Sequence, residues 1–381
     1  MLESVKNEFI RLFGELNDAR FFFSPGRVNI IGEHIDYNGG YVMPCAINLG
    51  TYFIIKKNDL MKVRAYSMQF PLLGICEFDV KDDKKKKEWT DFIKGIIKIF
   101  DIHFGFDLVV YGTIPHSSGL SSSASFCTGL GYALSTLNHH LIEGTQLALM
   151  CKRVENEFMG VNCGIMDQFI VCNGKKDHAL LLNCDQLTYD VIPFDLKNYS
   201  LIIANTNKIR QLSDSKYNER KKESEEALQI LHDNGYSYEN LCDIRDGYEK
   251  YLPLFKDEVI ARRFKHIVSE NLRTIQASEA LKQGNIEELG KLLTQSHLSL
   301  QNDYEVSGIE LDTVVNAFLA QKDCVGARMT GAGFGGCAIA IFPKSRCEEV
   351  KKEVYQIYVD KIGYEPSFYQ VTINDGVKEI K

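Results

Sequence analysis

The chain has little of what would mark it for a membrane, a nucleic acid or an oxidising compartment. No apolar run approaches the roughly 20 residues that a membrane-spanning helix needs. The first residues, MLESVKNEFIRLF, mix charge with apolar residues at helical spacing and lack the apolar core of a secretory leader, so a cytoplasmic protein is expected. Positive charge is not in excess: 44 Lys and Arg against 51 Asp and Glu leave a formal net charge of -7, which argues against a surface built for nucleic acid or anionic lipid. The one basic block, Lys84 to Lys87, follows Asp82-Asp83 and reads as a solvated loop. Eleven cysteines include no C-x-x-C pair and no Cys/His cluster at zinc spacing, so they read as reduced, mostly buried apolar residues. There is no internal repeat, no low-complexity segment and no G-x-x-x-x-G-K-[ST] phosphate loop. Tryptophan occurs once, at Trp89, where its large apolar area suits a core anchor.

What is present is a 381-residue chain with 45% hydrophobic residues, enough for a large core and, by length, for two domains. The stretch Phe23 to Pro44, FSPGRVNIIGEHIDYNGGYVMP, concentrates Arg27, Asn29, Glu33, His34 and Asp36 among turn-forming glycines. Val28, Ile30 and Ile31 suit a short buried strand, and Gly32 and Asn38-Gly39-Gly40 signal the turns that follow. The polar residues therefore lie on a loop held by rigid structure. Carboxylates accept the hydrogen bonds that sugar hydroxyls donate and His can donate or accept, so Glu33, His34 and Asp36 suit a polyol.

Further along, a strand over Asp107 to Ile114 runs into Pro115-His116-Ser117-Ser118-Gly119-Leu120-Ser121-Ser122-Ser123-Ala124, after which Cys127, Leu130, Leu134 and Leu137 recur at helical steps. A small-residue loop between a strand and a helix N-terminus suits phosphate, because unpaired N–H groups and the positive end of the helix dipole converge there. A second amphipathic helix covers Thr145 to Phe158 with Glu155 beside its apolar side, and the loop at Gly164 delivers Asp167 between apolar neighbours. Such a carboxylate suits a base or the N-cap of the next segment. Helices are expected over Glu3 to Leu16, Trp89 to Phe100 and Lys216 to His232, and the domain junction within Gln186 to Lys197. A glycine-rich stretch, Ala327 to Cys337, lies between two strand-like runs, and the last strand is expected over Ser367 to Ile373.

GRVNIIGEHIDYNGG at 26 to 40, GLSSSAS at 119 to 125 and RMTGAGFGG at 328 to 336, supported by CGIMDQF at 163 to 169, SKYNERKK at 215 to 222 and NDYEVSGIELD at 302 to 312, together resemble the galactokinases of the GHMP small-molecule kinase superfamily. The resemblance spans nearly the whole chain. It implies an α+β fold of two domains, a ribosomal-protein-S5-like α/β domain over 1–193 and a ferredoxin-like α/β domain over 194–381, with the active site in the cleft between them. It implies ATP-dependent phosphorylation of galactose at C1, with ATP and Mg²⁺, in a cytoplasmic monomer with no nucleic-acid or membrane partner. Glu33, His34, Ile35, Asp36, Gly164 and Tyr217 would bind the sugar. Asp167 would meet the C1 hydroxyl, and Arg27 would sit beside both. Ser117, Ser118, Gly119, Leu120, Ser121, Ser122 and Ser123 would wrap the ATP phosphates, with Ser123 and Glu155 as Mg²⁺ ligands and Trp89 and Ser67 near the nucleotide base. Lys208 and Arg210 are further candidates for phosphate contact.

One departure is Ser117, where the family pattern has glycine; without a glycine's freedom at positive φ, weaker ATP binding is expected. Two other readings stay open: an N-acetylgalactosamine kinase, which needs room at C2, and a non-catalytic galactose sensor, against which the intact Ser-Ala pair of the loop weighs.

Overall fold

The computed structural model describes all residues except 116, 117, 162, 209–212 and 246, and leaves aside the side chains of 213–215. The first half comprises α1 (Leu2–Phe13), β1 (Arg20–Asn29), β2 (Tyr41–Val42), β3 (Pro44–Asn58), β4 (Lys62–Ser67), β5 (Cys76–Asp79), α2 (Thr90–Ile99), β6 (Gly105–Gly112), α3 (Ser122–Leu137), α4 (Gly144–Arg153), α5 (Met166–Asn173), β7 (His178–Asn183) and β8 (Tyr189–Pro193). The second half comprises β9 (Tyr199–Asn205), α6 (Ser213–Asp233), α7 (Glu258–Lys282), α8 (Ile286–Asn302), α9 (Ile309–Leu319), β10 (Gly326–Thr330), β11 (Cys337–Pro343), α10 (Cys347–Ile362), β12 (Ser367–Val371) and β13 (Lys378–Ile380).

Strand alternation sets the layers of the first sheet, whose order is β13-β1-β3-β6-β4-β5. Phe53 and Ile55 of β3, with Leu108 and Val110 of β6, point to one face and pack under Ile93, Ile96, Leu130 and Leu134 of α2 and α3. The intervening Ile54 and Val109 point to the other face and meet Val5 and Phe9 of α1. The second sheet, β10-β11-β9-β12, is antiparallel. Ala338, Ala340 and Phe342 of β11 face a core shared with Val314 and Phe318 of α9 and Val350 and Val354 of α10. Its opposite face, Leu201, Ile203, Ile339 and Ile341, packs with Val28, Ile30, Ile31 and Met43 from the first half. The polar motif that follows Ile31 is thereby seated on a core common to both halves. A third sheet pairs β2, β7 and β8.

Three features differ from the sequence expectation. The helix expected to run to Phe158 stops being α at Arg153 and continues as a π-helical turn, Val154–Met159. The expected junction contains β8, an edge strand with exposed side chains and weak apolar signal. The chain does not end in the second sheet: β13 returns to β1, pairing Phe21 with Ile380, and Arg20 binds Glu379 through Nε at 2.7 Å.

Two glycines let α8 and β10 approach backbone to backbone. A Cβ on Gly290 would run into the Val325 carbonyl, and one on Gly326 into Gly290 itself. Gly290→Ala, far from any pocket described below, is expected to destabilise the fold by about 1–3 kcal/mol through overpacking, read as a lower urea midpoint with an unchanged slope; an unchanged midpoint would show that the helix can slide.

Candidate active site

β1 ends at Asn29 and feeds a loop whose backbone folds back on itself. Gly32 and His34 both take positive φ, at 98° and 63°, and a short 3-10 turn, Asp36–Asn38, follows. The reversal turns Glu33, His34 and Asp36 into a cleft of about 180 Å³ whose other walls are Arg27, Cys163, Gly164, Met166, Asp167, Tyr217, Gly331 and Ala332. Residues drawn from four distant segments thus meet in one polar pocket. Ile35 differs: its side chain is fully buried in the core, so it contributes its backbone, whose carbonyl accepts from the N–H of Gly40 at 2.8 Å.

Arg27 lies on the floor, 5% exposed. Its Nε and Nη2 donate to the two oxygens of Asp167 at 2.8 and 2.7 Å, and Nη1 donates to the Gly119 carbonyl at 2.6 Å. Asp167 sits in the first turn of α5, which Ile165 caps, so the N-cap role does not fall to it. It also accepts from the hydroxyl of Ser121 in a short contact. Ser121 in turn holds left-handed backbone, φ 63°, as the N-cap of α3 without capping the helix through its side chain. The first-turn N–H groups of α3 are therefore without a side-chain cap, and the exposed Ser122 and Ser123 stand at the same helix end. Ser118 is turned the other way: it is buried and its hydroxyl donates to the Pro115 carbonyl at 2.8 Å, closing the loop on itself. Leu120 has its side chain in the core. Ser117 and Arg210 lie outside the described residues, and Lys208 is engaged by Glu310 at 2.9 Å.

A second cleft, about 240 Å³, opens on the far side of Ser122 and Ser123. Trp89, Phe92, Phe126 and Phe70 line it together with Ser67, Gln69 and Ile114. Trp89, read from composition alone as a core anchor, packs half-buried against the core of the first sheet and is also a wall of this cleft.

Glu33 and His34 each combine a local hydrogen bond with one to a partner 298 residues away that no local pattern could show. Glu33 accepts from Asn29 Nδ2 and from the Gly331 N–H, both at 2.7 Å, and faces the fully buried Arg328 at 3.3 Å. His34 places Nε2 3.1 Å from the Ala332 carbonyl and Nδ1 2.9 Å from the Tyr37 hydroxyl. A carbonyl only accepts, so Nε2 carries the proton and Nδ1 accepts. Burial, with the charges of His266, Arg220 and Arg328, pushes His34 down to about 3, and the ring is neutral at any working pH.

The carboxylates respond to their crowding. Burial, reinforced by Asp167 and Glu33, raises Asp36 to about 6. Glu155 lies buried in the π-helical turn; burial and Asp167 raise it to about 7, opposed by nearby Gln168, Cys163 and Ser123. Its Oε1 is buried without a hydrogen-bond partner. A hard cation between that orphaned oxygen and the Ser123 hydroxyl would satisfy both. Among the described residues no three His, Cys, Asp or Glu side chains cluster as a metal cage, so the protein would supply few ligands and a phosphate and water the rest.

A polar pocket and an aromatic cleft meeting at the start of a helix, on this two-domain α+β fold, define a small-molecule kinase of the GHMP class. The models of the GHMP kinases N terminal domain and GHMP kinases C terminal match residues 91–175 and 277–360, and the galactokinase galactose-binding signature matches 7–57. The chain is 46% identical over 386 residues to a galactokinase of Clostridium acetobutylicum, covering 99% of this chain and 98% of that one. It is 45% identical over 388 residues to that of Enterococcus faecalis, covering both completely. The crystal structure of Lactococcus lactis galactokinase complexed with galactose superposes over the whole of both chains with a TM-score of 0.94 at 40% identity. Mevalonate kinase of Methanococcus jannaschii shares the fold, with a TM-score of 0.67 at 21% identity over 93% of this chain and 98% of that one. The chain belongs to the galactokinase family.

Two like charges raise Asp36, so removing one should lower it. In a carboxyl NMR titration of the free protein, Asp36 is expected to titrate near 6 and Asp167→Asn to bring that midpoint down. A wild-type midpoint near the ordinary 3.8 would show a solvated carboxylate.

Proposed function

We infer that the chain transfers the γ-phosphoryl group of ATP to the C1 hydroxyl of α-D-galactose, giving α-D-galactose 1-phosphate and ADP, the entry step of galactose catabolism. The observation that carries this reading is the position of Asp167. It faces the polar pocket, is gripped by Arg27 on both oxygens, and is bonded by Ser121 at the mouth of the helix that separates pocket from cleft.

In this reading the sugar occupies the pocket. Asp36 and Glu33 accept from its hydroxyls, the Gly164 backbone passes close to Asp36, and Tyr217 closes one side. His34 walls the pocket and holds the glycine-rich loop through Ala332. The adenine enters the aromatic cleft against Trp89, with Ser67 behind it. The phosphates then lie across the loop Ser117 to Ser123, on the first-turn N–H groups of α3, and the dipole of that 16-residue helix favours their charge. Mg²⁺, held by Ser123 and Glu155, would neutralise charge on the β- and γ-phosphates. As the bond from O1 to the γ-phosphorus forms, the bond to the β,γ-bridging oxygen breaks and its electron pair leaves with ADP. The proton of the C1 hydroxyl passes to Asp167. Arg27 keeps that carboxylate aligned and offers charge to the phosphoryl oxygens. Residues 1–193 and 194–381 serve as the two domains, with β13 returned to the first, and a single chain supplies both walls of the site, consistent with a monomer as the working unit in the cytoplasm.

A coupled ADP-release assay with ATP, Mg²⁺ and either galactose or N-acetylgalactosamine checks this. Turnover on galactose is expected, falling at least about 100-fold in Asp167→Ala. Turnover on N-acetylgalactosamine alone would move the assignment to that sugar, and galactose binding without any turnover would favour a sensor.

A further inference from the structure

The basic run Lys84 to Lys87 is the exposed loop the sequence predicts, but it is not a loose one. Its backbone is gathered onto one side chain, Asp91, which is 1% exposed in the first turn of α2. Asp91 accepts from the N–H of Lys86 with both oxygens at 3.0 Å, from that of Lys87 at 2.7 Å and from that of Glu88 at 3.3 Å. Lys87 is held at φ 63°, a conformation a non-glycine residue adopts at a cost. Lys94, 2% exposed, ties the start of the same loop by donating to the Lys84 carbonyl at 2.7 Å and to Asp82 at 2.9 Å. Lys85 reaches across to the Phe158 carbonyl, at 2.7 Å, in the π-helical turn that carries Glu155. The loop thus spans from the aromatic cleft to the helix of the buried carboxylate.

Trp89 follows this loop directly. Its indole N–H has no hydrogen-bond partner beyond the neighbouring thiol of Cys76, a weak acceptor that does little to orient a ring. Its orientation therefore depends on packing, including the edge contact with Phe126 at 6.1 Å, and on where the preceding backbone leaves it.

We propose that Asp91 is a positioning residue for the nucleotide: by collecting the N–H groups of 86–88 it fixes the backbone that aims Trp89, and with it Phe92, into the aromatic cleft. The inference rests on the nucleotide occupying that cleft, as the kinase reading has it. It makes Asp91 matter for ATP and leaves the sugar pocket untouched, since none of its bonds reaches that pocket.

Because Trp89 is the sole tryptophan, intrinsic fluorescence reports on it alone. In the full-length wild type, ATP without sugar is expected to change Trp89 emission on binding. In Asp91→Ala, acrylamide is expected to quench Trp89 more strongly and the KM for ATP to rise about tenfold, with kcat within about twofold and the KM for galactose unchanged. Asp91→Asn, which keeps one acceptor oxygen, should fall between. Lys87→Gly, which takes positive φ freely, should restore much of the ATP affinity when added to Asp91→Asn. The proposal is overturned if Trp89 ignores ATP in the wild type, if quenching rises while the KM for ATP stays put, or if kcat and both KM values worsen together with a lowered melting temperature. If Trp89 responds to ATP but no sugar is phosphorylated, the kinase reading fails and the positioning role is judged on ATP affinity from the fluorescence titrations.

Discussion

The pair of Arg27 and Asp167 is the constraint on which the site depends. Arg27 comes from β1, Asp167 from α5, and the third acceptor of the guanidinium, the Gly119 carbonyl, from the loop before α3. Burying a guanidinium is unfavourable unless each donor finds a partner, and removing one member of such a pair typically costs about 3–5 kcal/mol. Three segments separated by 92 and 140 residues in sequence are therefore held in one geometry by one side chain. The close approach needs a glycine as well: a Cβ on Gly26 would stand 2.8 Å from the Leu120 carbonyl.

A second buried set of charges binds the polar loop after β1 to the second half of the chain. Glu270 of α7 accepts from the Gly32 N–H at 3.0 Å, the Ser296 hydroxyl at 2.6 Å and Arg273 at 2.9 Å. Burial alone would push this carboxyl up, yet Arg273, His266 and Arg328 outweigh it and bring it down to about 2. Arg328 donates to the carbonyls of Asn29 and Ile30 besides facing Glu33. The loop that faces the pocket is thus fastened from behind by helix α7 and strand β10, while its front stays open. Rigid support of this kind suits a site whose task is alignment.

Much of the site was legible because its chemistry is local in sequence. Glycines at 32, 39 and 40, carboxylates at 33 and 36 and the serines before α3 each announce a turn or a helix mouth within a few residues; the glycines shape the turns, the carboxylates line the pocket, and Ser121 to Ser123 stand at the helix end beside it. Ile35 fell within the same local signal yet turns into the core, since the reversal at His34 sends successive side chains in directions that no strand or helix period describes. The lysine run is exposed, as its charge predicts, but the sequence does not show that Asp91 gathers the backbone behind those lysines.

By itself the sequence determined the element types, the polar loop after a buried strand, the helix mouth and the membership of a family, because these depend on side-chain periodicity, turn chemistry and motif spacing. Only the tertiary structure decided that Glu33 and His34 grip the backbone of Gly331 and Ala332, that Trp89 lines a cleft as well as packing on a core, and that β13 closes the edge of the first sheet beside β1. Each of these rests on a contact between segments far apart in the chain. Such contacts follow from how the two sheets share one core, and no local pattern of residues records them.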